Sequence, residues 1–491
     1  MHILNLFHIF EQKNMKSVLE SIAENWKLEA KLEDSRKYFF NYKEVHDILN
    51  KDKCYVIGRK GSGKSAICEH IVKNQNYKTF AIKLNFKNFP FNELYGLNND
   101  KYTPPNQYIT LWKYLIYSTV CQLMVANENI DFKIRGELEK IYPKNTKSLA
   151  RTINTWTAAE FGATVLGNGG TMKIQRDCSN NTIPWIQRVN ILEDIIAEYC
   201  DDSLYYIVFD ELDEDYRTVN DTDSSQPYIY LLTSLFKAVQ DVKSIFIENG
   251  KQVKPIVFLR DDIYMLIKDS DKNKWRDMKI EIEWTEDKLK NLLAYRISKD
   301  ISVENPPLSF KDAWYKIFDI HKVNFGNKQG KKIDSFDFIA RSTHLRPRDF
   351  IQYIQCCAEE TLSKNKKYIQ ESNIKFVDRA FSNYLKDEIV DEVFPLLPEI
   401  EQIMQIISNI RKWNFSCKEF EQEYKKYLKA NTIKEKNIDF VLDTLYNFSV
   451  IGNQHKHKKD TFFFKYQHTN MTFNKEENIV IHRGLFKAFQ L

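Results

Sequence analysis

Short apolar runs and helix-period patterns alternate along the first 300 residues of the chain. Continuous apolar runs, of the kind that a strand buried on both faces needs, predict strands at 54–57, 204–209 and 255–259. Further strands are predicted at 79–84 and 279–284. Apolar residues with a helical period predict helices over 109–125, 185–199, 228–246 and 286–301. The first of these helices is predicted to be amphipathic. Strands that alternate with helices are typical of an α/β domain with a parallel sheet, which we expect over residues 41–285, after a helical extension at 1–40.

One stretch of the predicted α/β domain departs from this alternation. Residues 130–183 show neither period clearly, and we expect an insertion there. Its glycine-rich part, 161–170, predicts either a hairpin or an ordered flap.

The pattern becomes helical from residue 286 onward. Further helices are predicted over 308–318, 335–342, 349–361 and 373–390, and we expect residues 286–390 to form a helical lid. In this lid, Pro347 interrupts the pattern and Asp349 is expected to cap the next helix. In residues 391–491, predicted helices at 400–413, 417–430 and 433–448 precede predicted strands at 461–467 and 478–482. Three helices followed by a hairpin predict a winged-helix domain, with residues 453–460 as the turn of the wing.

Composition and charge exclude few classes of protein. Of the 491 residues 43% are hydrophobic, which is enough for packed cores, and 72 basic against 67 acidic residues give a net charge of only +5. So small a net charge does not indicate nucleic acid or a membrane as the partner. Eight cysteines without CxxC spacing are typical of reduced thiols in a cytoplasmic protein. The apolar stretch at 3–10 lacks the flanks of a signal peptide and no other run approaches the length of a membrane-spanning helix, so we expect a cytoplasmic protein without a membrane partner.

The strongest chemical signal is the sequence GRKGSGKS at residues 58–65. It satisfies the pattern GxxxxGK[ST] between a predicted strand and a helical pattern, in a chain with only 14 glycines. In such a P-loop, glycines let main-chain N–H groups surround a phosphate, the lysine reaches the β and γ oxygens, and the hydroxyl ligates Mg²⁺. The alternative is a glycine-rich turn with a solvated lysine. We expect an ATP site formed by Gly58, Arg59, Lys60, Gly61, Ser62, Gly63, Lys64, Ser65 and Ala66.

Acidic residues follow the predicted strand at 204–209. Asp210 and Glu211 come directly after it, which is the Walker B pattern. A P-loop site needs a carboxylate at the end of a second strand to hold the metal, and a base to polarise the attacking water. We expect Asp210 to hold Mg²⁺ together with Ser65, and Glu211 to be the base. The alternative is a strand followed by a solvated acidic loop.

Three arginines are candidates for contact with the γ-phosphate. Arg260 ends the strand after Walker B, where ATPases of the additional-strand division carry a polar sensor. The alternative for Arg260 is an ion pair with Asp261 or Asp262. Arg346 or Arg348, beside a helix start in the predicted lid, would be a second sensor, and the alternative for both is solvation.

Together these motifs resemble those of the STAND and AAA-plus-like P-loop ATPases. The resemblance is carried by GRKGSGKS, VFDELDE at 208–214, FLRDD at 258–262 and LRPRD at 345–349, followed by the predicted winged helix. The likeness is greatest to a bacterial group of stand-alone ATPases with GRKGSGK and FDELD motifs that is often found among phage-defence genes. It implies an ATPase core, nucleotide-driven switching or self-association into a homo-oligomer, and a cytoplasmic setting. Since no effector segment is recognised, a defence output would require a partner protein.

Three functions are compatible with these observations. The first, which we favour, is an ATP-binding and ATP-hydrolysing switch. The second is a DNA-binding initiator or loader in which Lys456, Lys458 and Lys459 of the wing contact phosphates. Residues 391–491 carry 15 Lys and Arg against 13 Asp and Glu, which favours a protein contact over a nucleic acid. The third is an interaction protein that binds ATP without turnover.

Overall fold

The structure is a computed structural model that describes residues 18–86, 103, 106–142, 164–168, 171–175, 185–213, 226–324 and 331–491. The chain divides into two compact units. The sheet unit comprises residues 41–59 and 64–282. The helical unit comprises residues 1–40, 60–63 and 283–491, so the predicted N-terminal extension, lid and winged helix all fall in one unit.

A five-stranded parallel sheet forms the centre of the sheet unit. Its strands are β1 (Tyr55–Gly58), β2 (Thr79–Asn85), β5 (Leu204–Asp210), β6 (Gln252–Arg260) and β7 (Lys279–Ile282). They lie in the order β2-β5-β6-β1-β7, so β6 lies between the strand that precedes the P-loop and the strand that ends in Asp210. All five predicted strands are confirmed. A parallel sheet with this additional strand, and with a P-loop after β1, is an α/β P-loop NTPase fold, and the predicted fold class is confirmed.

Strand register brings the predicted site residues to one edge of this sheet. Gly58 lies opposite Arg260, and Asn85 lies opposite Asp210. Because the strands are parallel, their carboxyl ends all meet at this edge, which is where open α/β sheets bind their ligands. The residues of β1 and nearly all of β5 are buried, as their continuous apolar runs require.

Helices and a hairpin complete the sheet unit. The helices are Lys43–Asn50, Lys64–Lys73, Ile109–Ala126, Phe132–Glu139, Trp185–Tyr199, Gln226–Glu248 and Asp261–Leu266. Two further strands, β3 (Thr164–Asn168) and β4 (Thr171–Gln175), pair antiparallel. Of the two predicted alternatives, a hairpin or an ordered flap, this pairing agrees with the hairpin. Residues 161–163 and 169–170 of that stretch lie outside the described residues.

The helix Ile109–Ala126 differs from its prediction. Every residue from Thr110 to Val125 except Lys113 is buried, so the expected amphipathic pattern is wrong. Together with the 3₁₀ turn Asn106–Tyr108 it is long and apolar enough to cross a membrane, so the expectation that no run approaches that length is also wrong. Most of this apolar window, 83%, is buried inside the protein, which is typical of a core helix in a soluble protein.

The helical unit has one hydrophobic core that extends from Val18 to Phe489. Before residue 400 its described helices are residues 18–25, Ser35–Tyr38, Glu286–Ile301, Phe310–Ile317, Ser335–Ala340, Pro347–Ser363 and Glu371–Val393. Strands β8 (Lys322–Asn324) and β9 (Lys332–Asp334) form a small antiparallel pair between them.

The helix Pro347–Ser363 corrects two expectations. Pro347 does not interrupt the helix but is its first residue, where the missing N–H is no loss. Asp349 is therefore not the N-cap. Its carboxylate instead accepts from the main-chain N–H of His344 and from Arg346.

The last 92 residues contain three helices and a four-stranded antiparallel sheet. The helices are Ile400–Ile410, Cys417–Lys429 and Ile438–Asn447, and the strands are β10 (Asn414–Phe415), β11 (Ile451–Gln454), β12 (Phe462–Phe463) and β13 (Asn478–Ile481). The strand order is β10-β13-β11-β12. The strand predicted at 461–467 is wrong after Phe463, because a turn closes there through hydrogen bonds from Gln467 and His468 to the carbonyl of Phe464.

Candidate functional site: a P-loop and an acidic strand end

The P-loop backbone has the conformation that its glycines permit. Gly61 and Gly63 have φ angles of +78° and +95°, in the left-handed region that residues with a Cβ rarely adopt. A Cβ at Gly63 would meet nothing within 4 Å, so backbone conformation and not crowding requires glycine there. The following helix begins at Lys64, one residue before the predicted start.

Lys64 is half-buried and contacts the carbonyl groups of its own loop. Its Nζ donates to the oxygens of Gly58 at 2.7 Å and Arg59 at 2.9 Å. Burial lowers the pKa of Lys64, although the carboxylates of Asp261 and Asp213 oppose this effect. The ammonium is thus held at the mouth of the loop by neutral acceptors, and a charged phosphate oxygen would be a stronger acceptor than either carbonyl.

Ser65 and Asp210 lie together although 145 positions separate them in sequence. Asp210 is the last residue of β5 and is only 3% exposed. The Oγ of Ser65 donates to its Oδ1 at 3.5 Å. The structure therefore brings the two predicted motifs into contact at one edge of the sheet.

Glu211 has an unusual backbone conformation. Its φ is +59°, in the left-handed region, directly after a strand in which the chain is extended. Such a conformation costs a residue other than glycine about 1–2 kcal/mol, and strain of this kind concentrates at active sites. Glu214, the last residue of the VFDELDE stretch, lies outside the described residues.

Lys83 is a site residue that was not predicted from the sequence. It lies in β2, next to β5, and its Nζ is 2.7 Å from Asp210 Oδ2 and 3.2 Å from Glu69 Oε1. Burial pulls the pKa of Lys83 down, but the negative charge of Asp210 and its other acidic neighbours outweighs burial and the pKa lies above its ordinary value. A lysine inside the apolar run TFAIKL was the available signal.

Arg260 forms the ion pair that was its predicted alternative. It meets Asp262 through two hydrogen bonds, Nε to Oδ1 at 3.0 Å and Nη2 to Oδ2 at 2.6 Å. Its Nη1 is also 3.4 Å from Asp213 Oδ2. Asp261, the other expected partner, begins the next helix. Since Arg260 lies opposite Gly58 in the sheet register, its guanidinium belongs to the same edge as the P-loop.

Arg346 lies in the helical unit and is buried, so the alternative that it is solvated is wrong. The residue is only 2% exposed. Its guanidinium pairs with Asp349 at 3.0 Å and with Glu392 at 2.6 Å, and its Nη1 donates to the carbonyl of Lys60 at 3.2 Å. Burial pulls the pKa of Arg346 down, and the two carboxylates outweigh this effect and raise it.

Three further contacts in the helical unit hold residues 60–63 of the P-loop. Trp284 Nε1 donates to the carbonyl of Ser62 at 2.8 Å, and the main-chain N–H of Arg348 donates to the carbonyl of Gly61 at 3.4 Å. Lys60 and Arg348 share the carboxylate of Glu388, at 3.5 and 3.3 Å. From the sequence, Trp284 was expected only as the end of a strand. Arg346 and Arg348 therefore contact main-chain and carboxylate groups of their own unit, and their sensor role stays a prediction.

The residues present fit a magnesium nucleotide. Among the described residues, no group of three or more His, Cys, Asp or Glu side chains could hold a metal ion by itself. A Mg²⁺ ion bound with phosphates needs only one or two protein ligands. The hydroxyl of Ser65 and the carboxylate of Asp210, in contact at the loop end, supply oxygen ligands of the kind that Mg²⁺ prefers.

Comparison with known proteins gives one family match. The FunZ-associated C-terminal helical domain matches residues 287–390, about a fifth of the chain. That segment begins one residue after the predicted start of the lid and ends with it. The comparison with curated proteins gives no match.

The chain is also distantly similar to solved structures. The Aeropyrum pernix ORC2 protein in its ADPNP–ADP complexes has a TM-score of 0.40 and 10% identity, over 93% of this chain and 91% of that one. The Aeropyrum pernix ORC1 protein in complex with DNA has a TM-score of 0.36 and 10% identity, over 91% and 89%. Cdc6p from Pyrobaculum aerophilum has a TM-score of 0.30 and 10% identity, over 91% and 92%. Because these TM-scores are low, the fold is assigned from the strand order of the chain itself.

Proposed function

We propose that this chain is an ATP-binding and ATP-hydrolysing switch of the P-loop class. The observation that carries the proposal is the contact between Ser65 and Asp210 at the loop from which Lys64 projects. A P-loop lysine, a hydroxyl and a buried carboxylate at a strand end are the protein groups that a magnesium nucleotide requires. They come from distant parts of the sequence and meet only because β1 and β5 run parallel in one sheet.

Each residue has a distinct role in the proposed reaction. Lys64 exchanges its two carbonyl acceptors for the β and γ oxygens, because hydrogen bonds to a charged oxygen are stronger. Main-chain N–H groups from Gly61 to Ser65 surround the phosphates, at the N-terminus of the helix Lys64–Lys73. Ser65 and Asp210 would hold Mg²⁺, which neutralises phosphate charge when it is bound.

Glu211 and Arg260 act on the terminal phosphate in this proposal. Glu211 accepts a hydrogen bond from the attacking water and polarises it. Arg260, at the end of the neighbouring strand, reads the γ-phosphate when its pair with Asp262 opens. Chemistry of this kind is mainly positioning and charge neutralisation, which agrees with a site built on strand ends.

The role of Glu211 is tested by phosphate release. We expect Glu211→Gln to lose about 10²-fold or more in turnover, the typical effect of removing a general base. The same variant should still bind ATP, measured with a fluorescent analogue. Glu248→Gln, which changes an exposed glutamate at the end of the helix Gln226–Glu248, is the matched control and should retain both properties. Equal turnover in wild type and Glu211→Gln would reject this role.

Phosphate release also separates the switch from a protein that only binds ATP. A nucleotide-gated interaction protein would be stabilised by ATP, by about 2.7 kcal/mol at a concentration a hundred times Kd. It would show no release above background. We propose turnover because Glu211 stands in a strained conformation directly beyond the proposed metal ligand.

A second candidate function is DNA binding, and one observation favours it. We propose that residues 400–481 form a winged helix, in which the wing turn between β11 and β12 exposes Lys456, Lys458 and Lys459. A DNA-binding initiator or loader would use this turn on phosphates. The exposed face of the helix Ile438–Asn447 carries Asp439 and Asp443, which would repel phosphates. Contact with DNA would therefore fall to the wing and not to that helix.

The DNA-binding candidate is tested by salt dependence. Duplex binding that falls steeply with salt, and is lost when Lys456, Lys458 and Lys459 are changed to Glu, would support it. Binding that does not depend on salt, or that is the same in wild type and in the triple variant, would reject it. An anti-phage role rests on the resemblance of the motifs alone, so DNA binding is the better supported of these two specific roles.

Assembly and setting complete the proposal. We propose a cytoplasmic protein that self-associates when ATP is bound and acts through a partner protein. Particle mass with and without a slowly hydrolysed ATP analogue tests this. A mass that is the same in both states would reject nucleotide-driven assembly.

A further inference from the structure

The carboxylate of Asp210 is shared between two neighbours. Its Oδ1 accepts from Ser65 Oγ at 3.5 Å, and its Oδ2 is 2.7 Å from Lys83 Nζ. The side chains of Asp210 and Lys83 are only 5% and 11% exposed. The proposed metal ligand therefore already has a cation beside one of its two oxygens.

The sheet and the helix above it fix Lys83 in this position. In the register of β2 and β5, Lys83 lies opposite Val208, two residues before Asp210, so its long side chain reaches forward along the sheet. On the other side Glu69, from the helix Lys64–Lys73, lies 3.2 Å from the same ammonium group. Lys83 is thus held between two carboxylates contributed by a strand and a helix.

A fixed cation at this distance opposes a second cation. In a partly buried site the repulsion is screened far less than in water. Lys83, Asp210 and Glu69 together carry a net charge of −1, which attracts a divalent ion weakly. A bound triphosphate adds several negative charges and reverses this balance.

We propose that Lys83 is a built-in counter-cation of Asp210 that makes Mg²⁺ binding conditional on a bound triphosphate. The proposal rests on the proposed function, since it assumes that Asp210 faces the metal. Lys83 acts through Asp210 and is a positioning residue, not a catalytic one. A purely structural ion pair would stabilise the fold without any effect on metal affinity, and the two roles are separable by experiment.

The test is a titration of the full chain with MgCl₂ in the absence of nucleotide. Lys83→Gln keeps a hydrogen-bond donor and removes the charge, while Lys83→Arg keeps the charge. We expect Lys83→Gln to bind Mg²⁺ about tenfold more tightly than wild type, seen by calorimetry and as a magnesium-dependent rise in Tm. Lys83→Arg should behave as wild type. If Lys83→Gln responds to Mg²⁺ no more than wild type does, the inference is wrong.

Two controls make the result specific. Lys254→Gln removes another part-buried lysine of the same unit, one that donates to main-chain carbonyls, and should lower Tm without a magnesium response. The double variant Lys83→Gln with Asp210→Asn should lose the response that Lys83→Gln gains. A response that persists in the double variant would overturn the inference, because the ion would then bind elsewhere.

Glu69→Gln keeps the inference testable if Lys83→Gln does not fold. This change makes the net charge of the three residues zero, so half-maximal binding of a fluorescent ATP analogue should need more Mg²⁺ than in wild type. An unchanged or lower requirement would contradict the inference. Wild-type binding of the analogue is measured alongside: its absence would reject the proposed function, whereas normal binding with no effect of Lys83 or Glu69 would reject only the role of Lys83.

Discussion

Replacing Arg346 distinguishes a structural role from a sensor role. In the helical unit its guanidinium is buried between Asp349 and Glu392 and also donates to the carbonyl of Lys60. Arg346→Met leaves two buried carboxylates without their cation. Removing one partner of a buried ion pair costs about 3–5 kcal/mol. With an m-value of about 3 kcal/mol/M, the urea midpoint of this unit should fall by about 1–2 M, already without nucleotide.

The assay is urea unfolding followed by tryptophan fluorescence. Arg348→Met is the matched control, because Arg348 is more exposed and its side chain is 3.3 Å from Glu388 alone, which predicts a loss of about 1 kcal/mol or less. Adding Glu392→Gln to Arg346→Met should recover part of the loss, since one of the two uncompensated charges is then removed. A residue that only senses phosphate would leave the nucleotide-free midpoint unchanged. Equal midpoints for wild type and Arg346→Met would therefore refute the structural role.

Three further predictions concern stability. Gly61→Ala should lower the free energy of unfolding in urea by more than Gly63→Ala does. Both changes place a Cβ on a left-handed backbone, which costs about 1–2 kcal/mol, but only at Gly61 would the new Cβ meet a neighbour, Arg348 Cβ at 3.1 Å. Asp300→Asn should lower stability by about 1.5–3 kcal/mol, because Asp300 accepts from Ser21, Trp26, Lys37 and Tyr38; an unchanged midpoint would contradict this. Burial lowers the pKa of Lys254 to about 8, below its ordinary 10.5. Between pH 8 and pH 10.5 the unfolded chain therefore binds a proton at Lys254 that the folded chain has lost. Stability relative to Lys254→Met should therefore rise as the pH increases from about 8 to 10.5, and a flat difference would show that the pKa is not lowered.

The sequence was sufficient where one local pattern determined the outcome. The P-loop was predictable because its glycines, lysine and serine act within eight consecutive residues. The acidic end of β5 was predictable because Asp210 directly follows the apolar run of the strand in sequence. Strands β1, β5 and β6 of the parallel sheet were found for the same reason, since each contains a continuous apolar run.

The sequence was insufficient where partners come from distant segments. Nothing near Lys83 in sequence shows that β2 lies beside β5, so its pairing with Asp210 was missed. Trp284 contacts Ser62 across 222 positions, and Arg346 contacts Lys60 across 286. The burial of Arg346 also could not be read from LRPRD, because Glu392 lies in the following helix. Helix ends were misplaced where a residue such as Pro347 is compatible with both a break and a start.

Calorimetric binding of Mg·ATP to wild type and Lys64→Ala tests the central claim most directly. The claim is that Lys64 transfers its hydrogen bonds from two loop carbonyls to a polyphosphate held against Ser65 and Asp210. We expect one nucleotide per wild-type chain, and at least about tenfold weaker binding by Lys64→Ala, the effect of losing one charge-assisted contact of about 1.5–3 kcal/mol. Equal affinity in the two proteins, or no binding by wild type, would contradict the account.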